Sequence, residues 1–278
     1  ATQLTTDRPV ALRVMPPDDT DPQQRRRLAL AARWTVSVSS PHVVKVHLYG
    51  EDGGRFYVAS DLVAESGTLT RALAAEGGAP APVAIELMAQ IASGLAAVHE
   101  RGLVHGAVSP GNVLLTMRGG RLIGLLSDAG LSRRDTAPEV LLGDDPTFAS
   151  DVHSLGSLVW ATLTGEQPHR GTPYQLADGY VHGEVPMLAG DSPRVHHLNA
   201  LIARAMHHDP ARRHASALEL RDDLLMALHL PGDMAALERA PVTPNRPHPS
   251  TVTTTAVLAA ALLIVGLVVG AVMFFGSF

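Results

Sequence analysis

Residues 103–115 read LVHGAVSPGNVLL, and residues 121–133 read RLIGLLSDAGLSR. Both segments belong to a loop-rich stretch, residues 103–145, between two groups of predicted helices, and His105, Asn112 and Asp128 lie within it. Histidine, amide and carboxylate side chains at loop positions are typical of binding and catalytic sites. This region is therefore the first candidate for a functional site.

Three further segments follow along the chain. They are TAPEV at 136–140, DVHSLGSLVW at 151–160 and HHDPARRHASALELRDDL at 207–224. In this order and spacing, the five segments resemble the successive landmarks of the bacterial serine/threonine protein kinases, and the resemblance covers residues 8–230. It implies an α+β class and a bilobal kinase-like fold, with a small β-rich N-lobe and a larger helical C-lobe.

The N-terminal residues have the pattern of a small sheet with one helix. Apolar alternation predicts strands at 8–15, 43–49 and 55–60, and the sequence EDGG at 51–54 predicts a hairpin turn between the last two. Residues 23–34 have a helical composition. Beyond the hairpin the pattern changes to helices, which are predicted at 69–75, 83–101, 151–163, 197–206 and 215–229.

The predicted organisation has five parts. They are an N-lobe at 1–60, a hinge at 61–68, a helical C-lobe at 69–232, a proline-rich juxtamembrane linker at 233–250 and a transmembrane helix at 251–276. The glycine-rich loop of the family is expected ahead of Ala1.

The membrane assignment rests on the C-terminal composition. Residues 256–275 are apolar and uncharged, and a helix of that length spans roughly the 30 Å of a bilayer core. Residues 240–250 contain four prolines, which exclude a continuous helix there. Arg239 and Arg246 favour a cytoplasmic location for everything before the span. We therefore expect a cell-membrane protein whose kinase-like domain is cytoplasmic.

Composition excludes several classes of function. Of the 278 residues 46% are hydrophobic, only 18% are charged, and the net charge is -5, so no broad basic surface is available for nucleic acid. The chain has no cysteine, which rules out disulfides and thiolate metal sites. The histidines lack the spacing of metal ligands, and no metal site is predicted.

The catalytic loop lacks its acid. In the family this loop begins His-Arg-Asp and has an asparagine five residues after the aspartate; here His105 and Asn112 match, but Gly106 and Ala107 replace the arginine and the aspartate. A methyl group can neither accept a proton nor orient a hydroxyl group. The resemblance therefore implies a site without its usual base.

The phosphate and metal positions are also altered. The strand motif Val-Ala-Ile-Lys is matched by VALR, so Arg13 replaces the lysine, and Lys45, the only lysine in the chain, lies on a later strand. No acidic residue lies between positions 21 and 51 to pair with it. The Asp-Phe-Gly motif becomes Asp128-Ala129-Gly130, which keeps the metal-binding acid but loses the aromatic anchor.

Several matching residues are expected to be architectural. The resemblance implies a buried ion pair between Glu139 and Arg213, and it implies that Asp151 holds the backbone of the catalytic loop beside His105. Only six residues separate Gly130 from the APE segment, so little length is left for a substrate platform.

These substitutions predict a catalytically inactive kinase homologue that is not an enzyme and needs no cofactor. Two alternatives stay open. One is an atypical kinase that uses Asn112 and Asp128 with a base from elsewhere. The other is an ATP sensor that binds nucleotide weakly at these vestigial residues.

A membrane-attached scaffold is the predicted role. Thr243, Thr251 and Thr136 are candidate phosphorylation sites, because a phosphate would create a docking point for an arginine-containing reader domain. The chain also resembles the pseudokinase region of actinobacterial lipid II flippases of the MviN type. That resemblance implies phosphorylation by an active serine/threonine kinase, binding of a forkhead-associated domain protein, and control of peptidoglycan precursor export.

Overall fold

The computed structural model describes residues 1–4, 6–15, 22–63, 67–131, 136–232, 235 and 237–238. The predicted membrane helix and most of the predicted linker lie outside these residues, as do Thr243 and Thr251. Contacts group residues 1–240 into one compact unit, so the two lobes and the cleft between them belong to a single body.

The N-terminal lobe is a four-stranded antiparallel sheet with one helix packed on it. The elements are β1 (Thr2–Gln3), β2 (Arg8–Val14), α1 (Pro22–Ser37), β3 (Val46–Asp52) and β4 (Arg55–Asp61), and the strand order is β1-β2-β4-β3. Val46, Phe56 and Val58 of the sheet are buried against Leu28 and Ala32 of α1. The predicted alternation therefore places one face of the sheet on the helix.

The predicted hairpin between β3 and β4 is present. Asp52 pairs with Arg55, and Gly53 and Gly54 in the turn have φ values of 53° and 75°. Glycine reaches this left-handed region at little cost, so the turn can close in two residues.

The second lobe is mainly helical. Its helices are α2 (Leu69–Glu76), α3 (Ala81–His99), α4 (Pro138–Leu141), α5 (Phe148–Thr164), α6 (Pro173–His182), α7 (Pro193–Ala205) and α8 (Ala217–His229). Helix α5 is central, because every residue from Ser150 to Leu163 is buried. It begins at a capping box formed by Thr147 and Ser150 and ends at Gly165 in the left-handed conformation. The predicted bilobal α+β fold is confirmed.

A second sheet lies at the base of the cleft, and the sequence did not indicate it. Strands β5 (Gly67–Thr68), β6 (Val113–Arg118) and β7 (Arg121–Leu126) form an antiparallel sheet in that order. The β6–β7 hairpin falls within a stretch interpreted as loop. Helix α6 was also not predicted, although Thr172 and Gln175 form a capping box at its start.

The loop between α1 and β3 joins the two lobes. Val44 N–H donates to the Leu126 carbonyl at 2.9 Å, and Leu126 N–H donates to the His42 carbonyl at 2.9 Å. A Cβ atom on Gly94 of α3 would lie 2.5 Å from the His42 carbonyl oxygen. This close approach needs glycine and fixes the N-terminal lobe on the second lobe.

One described helix, α3, has the length and composition to cross a membrane, but 67% of that apolar window is buried inside the lobe. A core helix has the same composition, so α3 gives no support to a membrane location.

The beginning of the predicted linker packs on the helical lobe. Leu237 is buried in the main core, Ala81 N–H donates to the Ala235 carbonyl at 3.2 Å, and Ala189 N–H donates to the Glu238 carbonyl at 2.8 Å. Arg194 holds the preceding turn through hydrogen bonds to backbone carbonyls. The folded lobe therefore continues past residue 233, because apolar contacts and backbone hydrogen bonds hold this short tail.

Candidate active site

Asp151 of α5 organises the loop that carries the candidate site. Its carboxylate is fully buried and accepts hydrogen bonds from the backbone N–H groups of His105 at 2.7 Å and Gly106 at 2.8 Å, and from His99 Nε2 at 2.9 Å. Gly106 has a φ of 69°, which explains a glycine at this position. A buried carboxylate with several donors holds the loop in one conformation.

His105 joins this loop to the segment after β7. It is buried; its Nε2 donates to the Ser127 carbonyl at 2.9 Å, and its Nδ1 accepts from Ala107 N–H at 3.3 Å. Burial lowers the pKa of His105, against the opposing effect of nearby Asp151. The imidazole is therefore neutral and structural, with the proton on Nε2.

Ala107 presents only a methyl group to the loop interior. It is fully buried, and its carbonyl accepts a hydrogen bond from Asn112 Nδ2 at 2.8 Å. The Asn112 amide is thus oriented by the loop backbone, and no side chain of the loop from 105 to 112 carries a carboxylate.

Arg13 and Asp128 form an ion pair across the cleft. Arg13 Nη1 lies 2.7 Å from Asp128 Oδ2, and the side chains are 44% and 27% exposed. Lys45 does not take part in this ion pair. Its Nζ donates to the carbonyls of Val36 at 2.7 Å and Val38 at 3.2 Å at the end of α1. Arg13, and not Lys45, is therefore the cationic side chain that pairs with Asp128.

Small residues of α1 pack where the aromatic anchor is missing. Ala129 is buried, and Thr35 Oγ1 donates to the carbonyls of Ala31 at 2.7 Å and Ala129 at 3.3 Å. A Cβ atom on Gly130 would lie 2.8 Å from the Ala31 Cβ. Helix α1 therefore packs closely on the backbone of Ala129 and Gly130, where the family motif carries its aromatic residue.

The predicted ion pair between Glu139 and Arg213 is present. Arg213 Nη1 and Nη2 each lie 2.7 Å from an oxygen of Glu139, which is a bidentate pair. The guanidinium is fully buried and also donates to the His207 carbonyl at 2.7 Å and the Ala149 carbonyl at 2.9 Å. These contacts tie α4 to α5 and to the turn before α8.

Thr136 is held by a hydroxyl contact that the sequence did not indicate. Its side chain hydrogen-bonds to the Tyr180 hydroxyl, which lies 3.1 Å from Ser157 Oγ. Burial raises the pKa of Tyr180, so the phenol stays protonated. Of the three candidate phosphorylation sites, Thr136 is thus the one with a described structural role.

A protein-family model for protein tyrosine and serine/threonine kinases matches residues 2–224. The chain belongs to this kinase family. It is 31% identical over 228 residues to the serine/threonine-protein kinase PknH of Mycobacterium bovis, which covers 75% of this chain and 37% of the relative. It is 32% identical over 241 residues to PknL of Mycobacterium tuberculosis, covering 78% and 59%.

Solved structures agree with the family assignment. The kinase domain of Mycobacterium tuberculosis PknI matches with a TM-score of 0.64 and 26% identity, covering 78% of this chain and 85% of that domain. The chain spans between about a third and three fifths of the length of the curated relatives that it matches.

The prediction that this chain is not an enzyme is contradicted. The relatives are named serine/threonine-protein kinases, which indicates a kinase. The prediction gave too much weight to the substituted positions Arg13, Gly106, Ala107 and Ala129. Phosphoryl transfer depends mainly on positioning and electrostatics. Loss of a general base slows such a reaction by about 10²- to 10⁴-fold, which is less than the whole of catalysis.

The arginine–aspartate pair is the contact that sequence reasoning missed, although both residues were singled out. A signal for it was available: α1 has no acid, so a cation on β2 must find its partner elsewhere. Asp128 is the acid that the motif alignment already placed in the same cleft.

A magnesium-bound nucleotide is the group that the kinase family implies for this cleft. Mg²⁺ requires near-octahedral oxygen ligands. Here one oxygen of Asp128 is held by a guanidinium, and the described residues include no cluster of three or more His, Asp or Glu side chains able to hold a metal ion. In this arrangement a divalent cation at Asp128 would have to compete with the guanidinium of Arg13 for the carboxylate.

His153 predicts an acid-dependent loss of stability. Burial lowers its pKa from 6.5 to about 3, cationic Arg213 acts in the same direction, and its Nδ1 has no hydrogen-bond partner among the described residues. Below pH 6.5 the imidazole of His153 is therefore protonated in the unfolded chain, whereas in the folded chain it stays neutral down to about pH 3. The stability is complete above pH 6.5 and falls by about 1.4 kcal/mol per pH unit toward pH 3.

Urea unfolding at pH 7 and pH 5 measures this effect. Between pH 7 and pH 5, His153 should lower the free energy of unfolding of the wild type by about 2 kcal/mol. We expect the His153→Leu variant to lack that part of the decrease. The control is His196→Leu, on the exposed side of α7, which should leave the loss unchanged. Equal pH dependence of wild type and His153→Leu would contradict the assignment.

Proposed function

We propose that this kinase-family domain is a membrane-tethered docking platform whose recruitment of a partner depends on threonine phosphorylation. The observation that supports it is the arrangement of the chain after α8. A tightly held lobe leads into a proline-rich segment that contains Thr243, and that segment leads into an uncharged apolar run. Proline-rich sequences disfavour helix and sheet, and this composition is why we expect a second kinase to reach Thr243.

The proposed partner is a forkhead-associated domain protein. Phosphorylation adds nearly two negative charges and strong acceptor oxygens, which an arginine-containing reader binds through charge-assisted hydrogen bonds. The resemblance to lipid II flippases of the MviN type supports a role in regulating peptidoglycan precursor export. It also supports a cell-membrane location with the kinase-family domain in the cytoplasm.

Thr243→Ala tests the recruitment. We expect the chain in detergent, phosphorylated by an active serine/threonine kinase, to bind a forkhead-associated domain. We expect the Thr243→Ala variant to bind about 100-fold more weakly, because two or more charge-assisted hydrogen bonds are lost. Titration calorimetry measures the affinity, and mass spectrometry locates the phosphate.

Thr251→Ala and Thr136→Ala are the matched controls. Both should bind as the wild type does, since each removes one hydroxyl and leaves Thr243 in place. Loss of binding only in Thr251→Ala or only in Thr136→Ala would assign the switch to that residue instead. Full binding by all three variants would refute recruitment through these threonines.

A second candidate function is slow serine/threonine phosphoryl transfer. The family membership and the similarity to named kinases favour it, and Asn112 and Asp128 match the family positions that hold the metal ion of the nucleotide. ATP is the phosphoryl donor of this reaction. Such a reaction relies on positioning and on the charge of Arg13 rather than on a base.

A further inference from the structure

The ion pair between Arg13 and Asp128 changes what the cleft can bind. We propose that Asp128 acts as the internal counterion of Arg13 rather than as a metal ligand, and that the cleft binds nucleotide phosphate without a divalent cation. Arg13 then supplies the positive charge, and the phosphate competes with Asp128 for it. This proposal concerns the cleft and is independent of recruitment through Thr243.

The partners of Arg13 explain why it pairs with this acid. Helix α1, which faces the cleft, has no acidic residue, and the side chain it places against Gly130 is Ala31. A cation on β2 therefore has no helix carboxylate to neutralise it. Asp128 has a left-handed backbone conformation, with a φ of 64°. Its Oδ2 lies 2.7 Å from Arg13 Nη1 and provides the missing negative charge.

The same geometry opposes a metal ion. A divalent cation at Asp128 would have to displace a guanidinium, which carries a permanent charge. Asn112 turns its amide nitrogen to the Ala107 carbonyl, so it can offer only its single amide oxygen to a cation. Phosphates and water usually complete the ligands of Mg²⁺ beside one or two protein oxygens, but here a guanidinium already stands beside one of the two oxygens that the protein could offer.

Arginine suits a phosphate in this position. Its planar fork carries five N–H donors, and one nitrogen is engaged with Asp128 Oδ2, so others remain for phosphate oxygens. Both side chains are partly exposed, so the pair can open. A polyphosphate carries several negative charges and competes effectively with one carboxylate.

Opposite responses to one substitution distinguish the two roles of Asp128. A metal ligand that is lost weakens nucleotide binding, whereas a counterion that is lost frees the arginine. We therefore expect Asp128→Asn to strengthen ATP binding in EDTA by about tenfold, because the competing charge is removed without changing the size of the side chain. We expect Arg13→Ala to reduce that binding by at least about tenfold.

The measurement is titration of ATP in EDTA and again in excess MgCl₂, with the whole chain carrying Thr243→Ala so that recruitment plays no part. Arg8→Ala is the control, since Arg8 is also an arginine of β2 but contacts His47. It should bind as the parent does. Tripolyphosphate as a second probe tells whether the phosphates alone suffice. Thermal melting of each variant checks that it is folded.

The outcomes are decisive in both directions. Binding in EDTA that rises in Asp128→Asn and falls in Arg13→Ala supports the proposal. Binding that requires Mg²⁺ and disappears in Asp128→Asn overturns it and makes Asp128 a metal ligand, while leaving slow phosphoryl transfer open. Absence of ATP binding by every variant, with or without Mg²⁺, overturns the proposal and slow phosphoryl transfer together. Neither negative result affects recruitment through Thr243.

Discussion

Arg213→Ala is expected to lower the free energy of unfolding by about 3 to 5 kcal/mol. The guanidinium is fully buried and makes a bidentate pair with Glu139, whose side chain is only 12% exposed. Truncation leaves that carboxylate without its partner, and it also removes the donors to the carbonyls of His207 and Ala149. An uncompensated buried charge is much more costly than the net contribution of an intact pair.

Chemical denaturation of the full chain measures the loss, and thermal melting gives an independent estimate. For a domain of this size the melting temperature should fall by roughly 6 to 20 °C. Arg204→Ala is a matched control, because Arg204 also pairs with a glutamate, at 2.6 Å from Glu219, but the two side chains are 43% and 37% exposed. It should cost less than about 1 kcal/mol.

The contrast between the two arginines is the test. If Arg213→Ala cost no more than Arg204→Ala, the buried pair would contribute little to holding α4 on α5.

The sequence predicted the fold where periodic patterns are long. The strands at 8–15 and 55–60, the turn at 51–54 and the central helix were all found close to their predicted bounds. The β6–β7 hairpin was missed because it follows a glycine- and proline-containing loop and is short. The hairpin packs closely on α3, since a Cβ atom on Gly124 would lie 2.6 Å from the side chain of Leu87, and no local sequence pattern reports such a contact.

Motif order singled out Arg13, Asn112, Asp128 and Asp151 as candidate residues although they are far apart in the chain, but it did not give the contacts among them. In the structure Arg13 pairs with Asp128, and Asp151 is buried beneath the loop of His105 and Gly106. The pairing of Arg13 with Asp128 depends on the distance between two lobes, which sequence spacing does not give. The contact between Thr136 and Tyr180 is of the same kind, because α6 itself had not been predicted.

Ala107→Asp is expected to raise the rate of ATP-dependent phosphorylation of a threonine-containing acceptor peptide by about 10²- to 10⁴-fold. The substitution restores a carboxylate at the loop position where the kinase family carries its base. The loop is already held there, because Asp151 accepts from the backbone of His105 and Gly106 and Asn112 Nδ2 donates to the carbonyl of residue 107. Within this loop, the proton acceptor is the part that is missing.

Ala107→Asn is the matched control for this gain. Asparagine has nearly the size of aspartate and accepts a hydrogen bond, but it does not take a proton at neutral pH, so it should leave the rate unchanged. Because position 107 is fully buried, both variants need a melting curve, and a similar loss of stability in the two would isolate the chemical effect.

The ratio of the two rates then separates two explanations for slow transfer. A large ratio means that the nucleotide and the acceptor are already positioned by the cleft, so that the missing base is the main deficit. A ratio near one would mean that positioning itself fails, and slow phosphoryl transfer would no longer be a candidate function. Docking through phosphothreonine does not depend on this result, because it uses the tether rather than the cleft.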